Sequence, residues 1–82
     1  MGNKRLRPEP GTTVVLVRVP PGLLDGLPQR DQRAISAIVG QPVLLVDYDD
    51  VGRAELEFTD RKGHIHFIYV KPEFISPAPS ET

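Results

Sequence analysis

The sequence predicts a mainly β domain carrying one helix, and three observations lead there. Between Pro42 and Val70, three stretches rich in β-branched and aromatic residues are joined by two Asp-x-x-Gly segments, Asp49–Gly52 and Asp60–Gly63. An earlier stretch, Thr12 to Val19, has the same character and stops at Pro20-Pro21-Gly22. Between Gly22 and Gly40 the apolar residues instead recur at helical spacing. Runs of strand formers bounded by turn formers read as strands, and the change of period marks the helix.

Composition bounds what such a fold can be. The chain has 82 residues, 39% hydrophobic and 26% charged, with a formal net charge of -1. That length holds one domain with a thin core. Cysteine is absent, which excludes disulfides, thiolate metal sites and a cysteine nucleophile. No apolar run approaches the roughly 20 residues of a membrane helix, and the start lacks the apolar stretch of a secretory signal. A cytoplasmic monomer is the expectation. The balanced charge gives no global attraction to nucleic acid or anionic lipid.

The first strand cannot continue past Val19, because Pro20 and Pro21 lack ladder donors. In the excursion that follows, Ala34, Ile35, Ile38 and Val39 form one helical stripe. Pro28 suits the helix start, Gly40 its end, and Pro42 prevents continuation. Gln29, Arg30, Gln32, Arg33 and Ser36 then face water, while Leu23, Leu24 and Leu27 anchor the preceding loop. So short a helix draws its stability from docking on a sheet.

Pro42–Tyr48, Arg53–Thr59 and His64–Val70 form an antiparallel meander. Aspartate opening a type I turn bonds its own backbone, and glycine closing it takes the left-handed conformation of a bulge. In that register Asp60 opposes His64, and the facing pairs are Phe58/His66, Leu56/Ile68 and Ala54/Val70. Ala54, Leu56, Phe58, Ile68 and Val70 share an apolar face; Glu55, Glu57, Phe67 and Tyr69 share the other. A plain two-residue hairpin would instead set Ile65, Phe67 and Tyr69 against Leu56 and Phe58, since a one-residue shift exchanges every side chain's face. The Asp-x-x-Gly form favours the bulged register. Lys71 to Ile75 reads as a tight turn and a short last strand, with Phe74 or Ile75 closing the core. Residues 1–11 and 76–82, rich in proline and small polar residues, are expected to be flexible, leaving 12–75 as the folded unit.

This order resembles an SH3-like small β-barrel over residues 12–75. The strand Val14–Val19, the Gly-Arg-Ala-Glu-Leu-Glu-Phe run at 52–58 and Val70-Lys71-Pro72-Glu73-Phe74-Ile75 carry the resemblance. The amphipathic helix is inserted between the first two long strands, as in bacterial SH3-like proteins. The Gly-Leu-Leu-Asp-Gly-Leu-Pro segment at 22–28 is also similar to one in small uncharacterised bacterial proteins. The chain departs from peptide-binding SH3 domains in having no tryptophan for a Pro-x-x-P groove. It departs from nucleic-acid-binding barrels in its acidic meander, with Asp47, Asp49, Asp50, Glu55, Glu57 and Asp60.

No constellation in the sequence points to catalysis. The serines lack a nucleophile elbow, and no glycine loop is built to cradle phosphate. Glu55 and Glu57 share a strand face without an obvious cleft to separate their pKa values. His64-x-His66 places two imidazoles on one side of a strand, but a zinc site would need a third ligand, from Asp60 or elsewhere. Asp47-x-Asp49-Asp50 opens like a calcium loop and has Phe58 where the distal glutamate belongs. No cofactor and no metal are expected.

What remains is binding. The leading expectation is a non-enzymatic protein-interaction module that uses Tyr48, Asp49, Asp50, Glu55, Glu57, Phe67 and Tyr69. Phe67 and Tyr69 serve that role only if the excursion 20–40 leaves them uncovered. The alternative is association with nucleic acid through Lys4, Arg5, Arg7, Arg61 and Lys62, which would be weak and salt-sensitive.

Overall fold

The computed structural model describes residues 7–78. Its elements in chain order are β1 (Thr13–Leu16), α1 (Gln29–Ala37), β2 (Pro42–Tyr48), β3 (Ala54–Thr59), β4 (Ile65–Val70), a 3-10 turn (Pro72–Phe74) and β5 (Ile75–Pro77). The strands form one antiparallel sheet in the order β4-β3-β2-β1-β5. Among the described residues β4 and β5 do not pair, so the sheet is open at both edges.

The β3–β4 hairpin adopts the bulged register. Ala54 faces Val70, Leu56 faces Ile68 and Phe58 faces His66. The Asp60 N–H donates to the His64 carbonyl at 2.9 Å and the Gly63 N–H to the Asp60 carbonyl at 3.0 Å. Gly63 takes a φ of +88°, open to glycine at no steric cost. The Asp49–Gly52 turn repeats the arrangement, its Asp49 N–H donating to Arg53 at 2.8 Å.

One sheet face carries the core. Val14, Leu16, Val43, Leu45, Ala54, Leu56, Phe58, Ile68 and Val70 are buried there with Ile35 of α1, Phe74 and Ile75. Of the expected stripe the helix itself carries Ala34 and the buried Ile35; α1 ends at Ala37, so Ile38 is its C-cap and Val39 lies beyond it, bridged to Leu16, both half-buried against the core. Leu23, Leu24 and Leu27 pack on the same side, and the Gln32 side chain donates to the Leu27 carbonyl at 2.9 Å. The excursion therefore covers the inner face, and the outer face is left open.

Three boundaries differ from the sequence reading. The first strand ends at Leu16 rather than Val19. There the Leu16 carbonyl accepts from Gly40, and the Val17 N–H donates to Phe74, so the chain leaves the ladder before the prolines. The start of the chain is attached further back than Thr12. The Gly11 N–H donates to Leu45 at 2.7 Å, and the Tyr48 hydroxyl to the Pro8 carbonyl at 2.7 Å. At the other end, Ser76 and Pro77 belong to β5 and lie opposite Val15 and Val14 of β1. Ser76 and Pro77 are thus part of the β5 edge, and residues 8–11 are fastened to β2.

Candidate functional site

The outer face is built by strand alternation. In the bulged register every second residue of β3 and β4 turns away from the core, which places Glu55 opposite Tyr69 and Glu57 opposite Phe67. Leu44 of β2 faces Glu57 from the other side, so Glu57 stands between two apolar side chains. Ile65, Phe67 and Tyr69 are 59%, 53% and 43% exposed, and Leu44 is 39% exposed. The two aromatic rings expected as interface anchors are thus free, and the acidic pair borders them.

Tyr69 belongs to a small electrostatic group. The Glu55 carboxylate beside it raises its pKa above the usual phenol value, with desolvation adding to the effect. The Arg53 guanidinium carbon lies 5.7 Å from the ring centroid, and Arg53 Nε donates to Asp49 Oδ2 at 2.8 Å. The other Asp49 oxygen accepts the backbone N–H groups of Val51 and Arg53. Desolvation pushes the Asp49 carboxyl up, but these donors and the Arg53 charge outweigh it and hold the group below the ordinary range. Asp49 is therefore a turn residue that aims Arg53 at the edge of the aromatic patch. Asp50 is exposed at the tip of the same turn.

Tyr48 does not join this face. The β2–β3 register shifts between Leu45 and Asp47, leaving Val46 as an extra residue. Such a bulge offsets the alternation by one position, so Asp47 opposes Glu55 and Tyr48 opposes the buried Ala54. Tyr48 is half-buried against the core with the Arg7 guanidinium stacked on its ring at 3.9 Å. Burial raises its pKa against the lowering influence of Arg7. Its contacts are internal, binding the start of the chain to the sheet.

The histidines lie on the inner side of the hairpin end. His66 stacks on Phe58 with ring centroids 5.1 Å apart, and its Nε2 lies 2.9 Å from Asp60 Oδ2. Asp31 of α1 approaches its other nitrogen at 3.9 Å, a contact between distant segments that no local pattern announces. His64 is exposed, its Nδ1 3.6 Å from the same Asp60 oxygen. Among the described residues no three histidine or carboxylate side chains are disposed to hold a metal ion. Asp47, first in the calcium-like run, accepts the backbone N–H of Tyr48.

Two open depressions border β4. Pro20, Pro21, Leu23, Arg53, Tyr69 and Phe74 help line one; Arg30, Asp31, Asp60, His64, His66 and Phe67 help line the other. The cations of the nucleic-acid alternative are dispersed. Arg61 and Lys62 sit in the β3–β4 turn, while Arg7 lies over Tyr48 at the opposite end of β3, about 20 Å away along a six-residue strand. Lys4 and Arg5 lie outside the described residues.

No helix among the described residues is long and apolar enough to cross a membrane. No protein-family model, curated protein or solved structure matches this chain.

Proposed function

We propose that this chain is a non-enzymatic protein-interaction module that receives a basic protein partner on the outer face of its sheet. The observation that carries this reading is the exposure of Phe67 and Tyr69 beside Glu55 and Glu57. Aromatic side chains at an open sheet face supply buried area at low entropic cost and recur as interface anchors. The two carboxylates set the partner's sign: a lysine or arginine can lay its aliphatic stem on Phe67 and Leu44 and bring its charge to Glu57. Asp49 and Asp50 extend the negative rim past Arg53. We read the architecture as an SH3-like small barrel. Support for it comes from β1 pairing with both β2 and β5, and from the 3-10 turn that carries the chain directly from β4 into β5.

The test is affinity capture from native lysate, with and without nuclease, using the native chain and a Phe67→Ser/Tyr69→Ser variant. Capture of a protein that survives nuclease and is lost in the folded variant supports this reading. Capture that vanishes with nuclease transfers the function to nucleic acid, and capture unchanged in the variant removes the outer face.

A further inference from the structure

The backbone of β4 has a free side. The Asp60–His64 pair is hydrogen-bonded, and in an antiparallel ladder hydrogen-bonded and open pairs alternate. His66, Ile68 and Val70 therefore bond to β3. Ile65, Phe67 and Tyr69 point their N–H and C=O groups away from it, and those groups have no backbone partner among the described residues. They are the same residues whose side chains stand exposed on the outer face. The opposite edge, β5, is three residues long and ends in Pro77.

Exposed sheet edges are ordinarily protected by lysine, proline, a bulge or shortness. Ile65–Val70 has none of these over its six residues, and its sequence is rich in β-formers with low charge, the composition that pairs readily with another strand.

We propose that β4 pairs with β4 of a second copy of this chain, antiparallel and centred on Phe67. The free groups are self-complementary in that register. Phe67 opposes Phe67 of the other copy and Ile65 opposes Tyr69, each pair exchanging both of its N–H···O bonds. Glu55 and Glu57 do not oppose the union. The two β3 strands stand three strand spacings apart, about 14 Å, beyond a screening length of about 8 Å at physiological salt. Pairing does not depend on the protein-partner reading, and it enlarges the same face: four aromatic rings bordered on both sides by the Glu55 and Glu57 pairs.

The experiment is sedimentation equilibrium of the full chain over a range of concentrations, together with residue-resolved amide hydrogen exchange and no partner added. The native chain is expected to reach twice the chain mass, with the Ile65, Phe67 and Tyr69 amides protected as the dimer forms. Phe67→Lys sets two like charges face to face and should return the chain mass with those amides exchanging freely. Phe67→Pro removes an N–H that β3 does not use, so it should do the same with the fold retained; it decides the matter should the lysine variant fail to fold. Three results overturn the proposal: the chain mass at every concentration, protection of those amides in the monomer, or a dimer that persists in a folded variant. A dimer that captures no partner leaves the pairing standing and removes only the protein-partner reading.

Discussion

The Nε2 of His66 lies 2.9 Å from Oδ2 of Asp60, across the turn that joins β3 to β4. An ionised carboxylate can only accept, so Nε2 carries the hydrogen in this contact. The other Asp60 oxygen accepts the backbone N–H groups of Lys62 and His64 at 2.9 and 3.0 Å. One side chain thus closes the turn and ties it to the strand that leaves it.

These bonds, that from His66 foremost, hold the Asp60 carboxyl well below the usual aspartate range. A carboxyl depressed in the folded state stabilises the fold fully above its unfolded pKa of about 3.9 and loses that contribution as pH falls toward the folded value. The melting temperature of the native chain should therefore decline between about pH 5 and pH 2. Asp60→Asn keeps an acceptor for the turn but no charge, so its decline over that interval should be shallower. Parallel thermal melts across the two proteins check the difference in slope.

At Gly63 the backbone alone sets the cost of substitution. A Cβ there would meet nothing within 4 Å, but φ is +88°. Gly63→Val should lower stability by about 1–3 kcal/mol, since a β-branched residue resists positive φ. Chemical denaturation measures it. A midpoint equal to that of the native chain would contradict the bulged turn and, with it, the separation of Phe67 and Tyr69 from the core.

Tyr48 makes a comparable claim about the start of the chain. Removing its hydroxyl in Tyr48→Phe deletes the 2.7 Å bond to the Pro8 carbonyl and should cost about 0.5–1.5 kcal/mol. The loss should be local, with residues 7–11 cut faster by a protease while β3 and β4 amides keep their exchange protection.

Much of this architecture is legible in the sequence because local chemistry specifies it. The two Asp-x-x-Gly turns carry their register in four residues each, and the face shared by Glu55, Glu57, Phe67 and Tyr69 follows from it. The helix stripe around Ile35 is equally local. What escapes reading depends on distant partners or lacks punctuation. Val43-Leu44-Leu45-Val46 is an uninterrupted apolar run, so nothing in it marks Val46 as the extra residue that turns Tyr48 inward. The end of β1 at Leu16 is set by Gly40 and Phe74, far along the chain. Whether Phe67 and Tyr69 would be covered turned on which side Leu23, Leu24 and Leu27 pack, and their spacing fits either.

The bulge at Val46 makes β2 a ribbon with two phases. Up to Leu45 its odd-numbered residues face inward; beyond it the even-numbered Tyr48 does. Leu45 and Tyr48, three positions apart, both reach the inner side because Val46 opposes no residue of its own on β3. Deleting Val46 would set Leu45 directly before Asp47 and restore plain alternation, with Asp47 still outward and Tyr48 still inward at its Pro8 anchor. The deletion would straighten β2 and remove local twist without exchanging a single face beyond it. The extra residue thus bends the strand between Leu44 on the open face and Tyr48 at the chain's beginning, and the faces themselves would survive its loss.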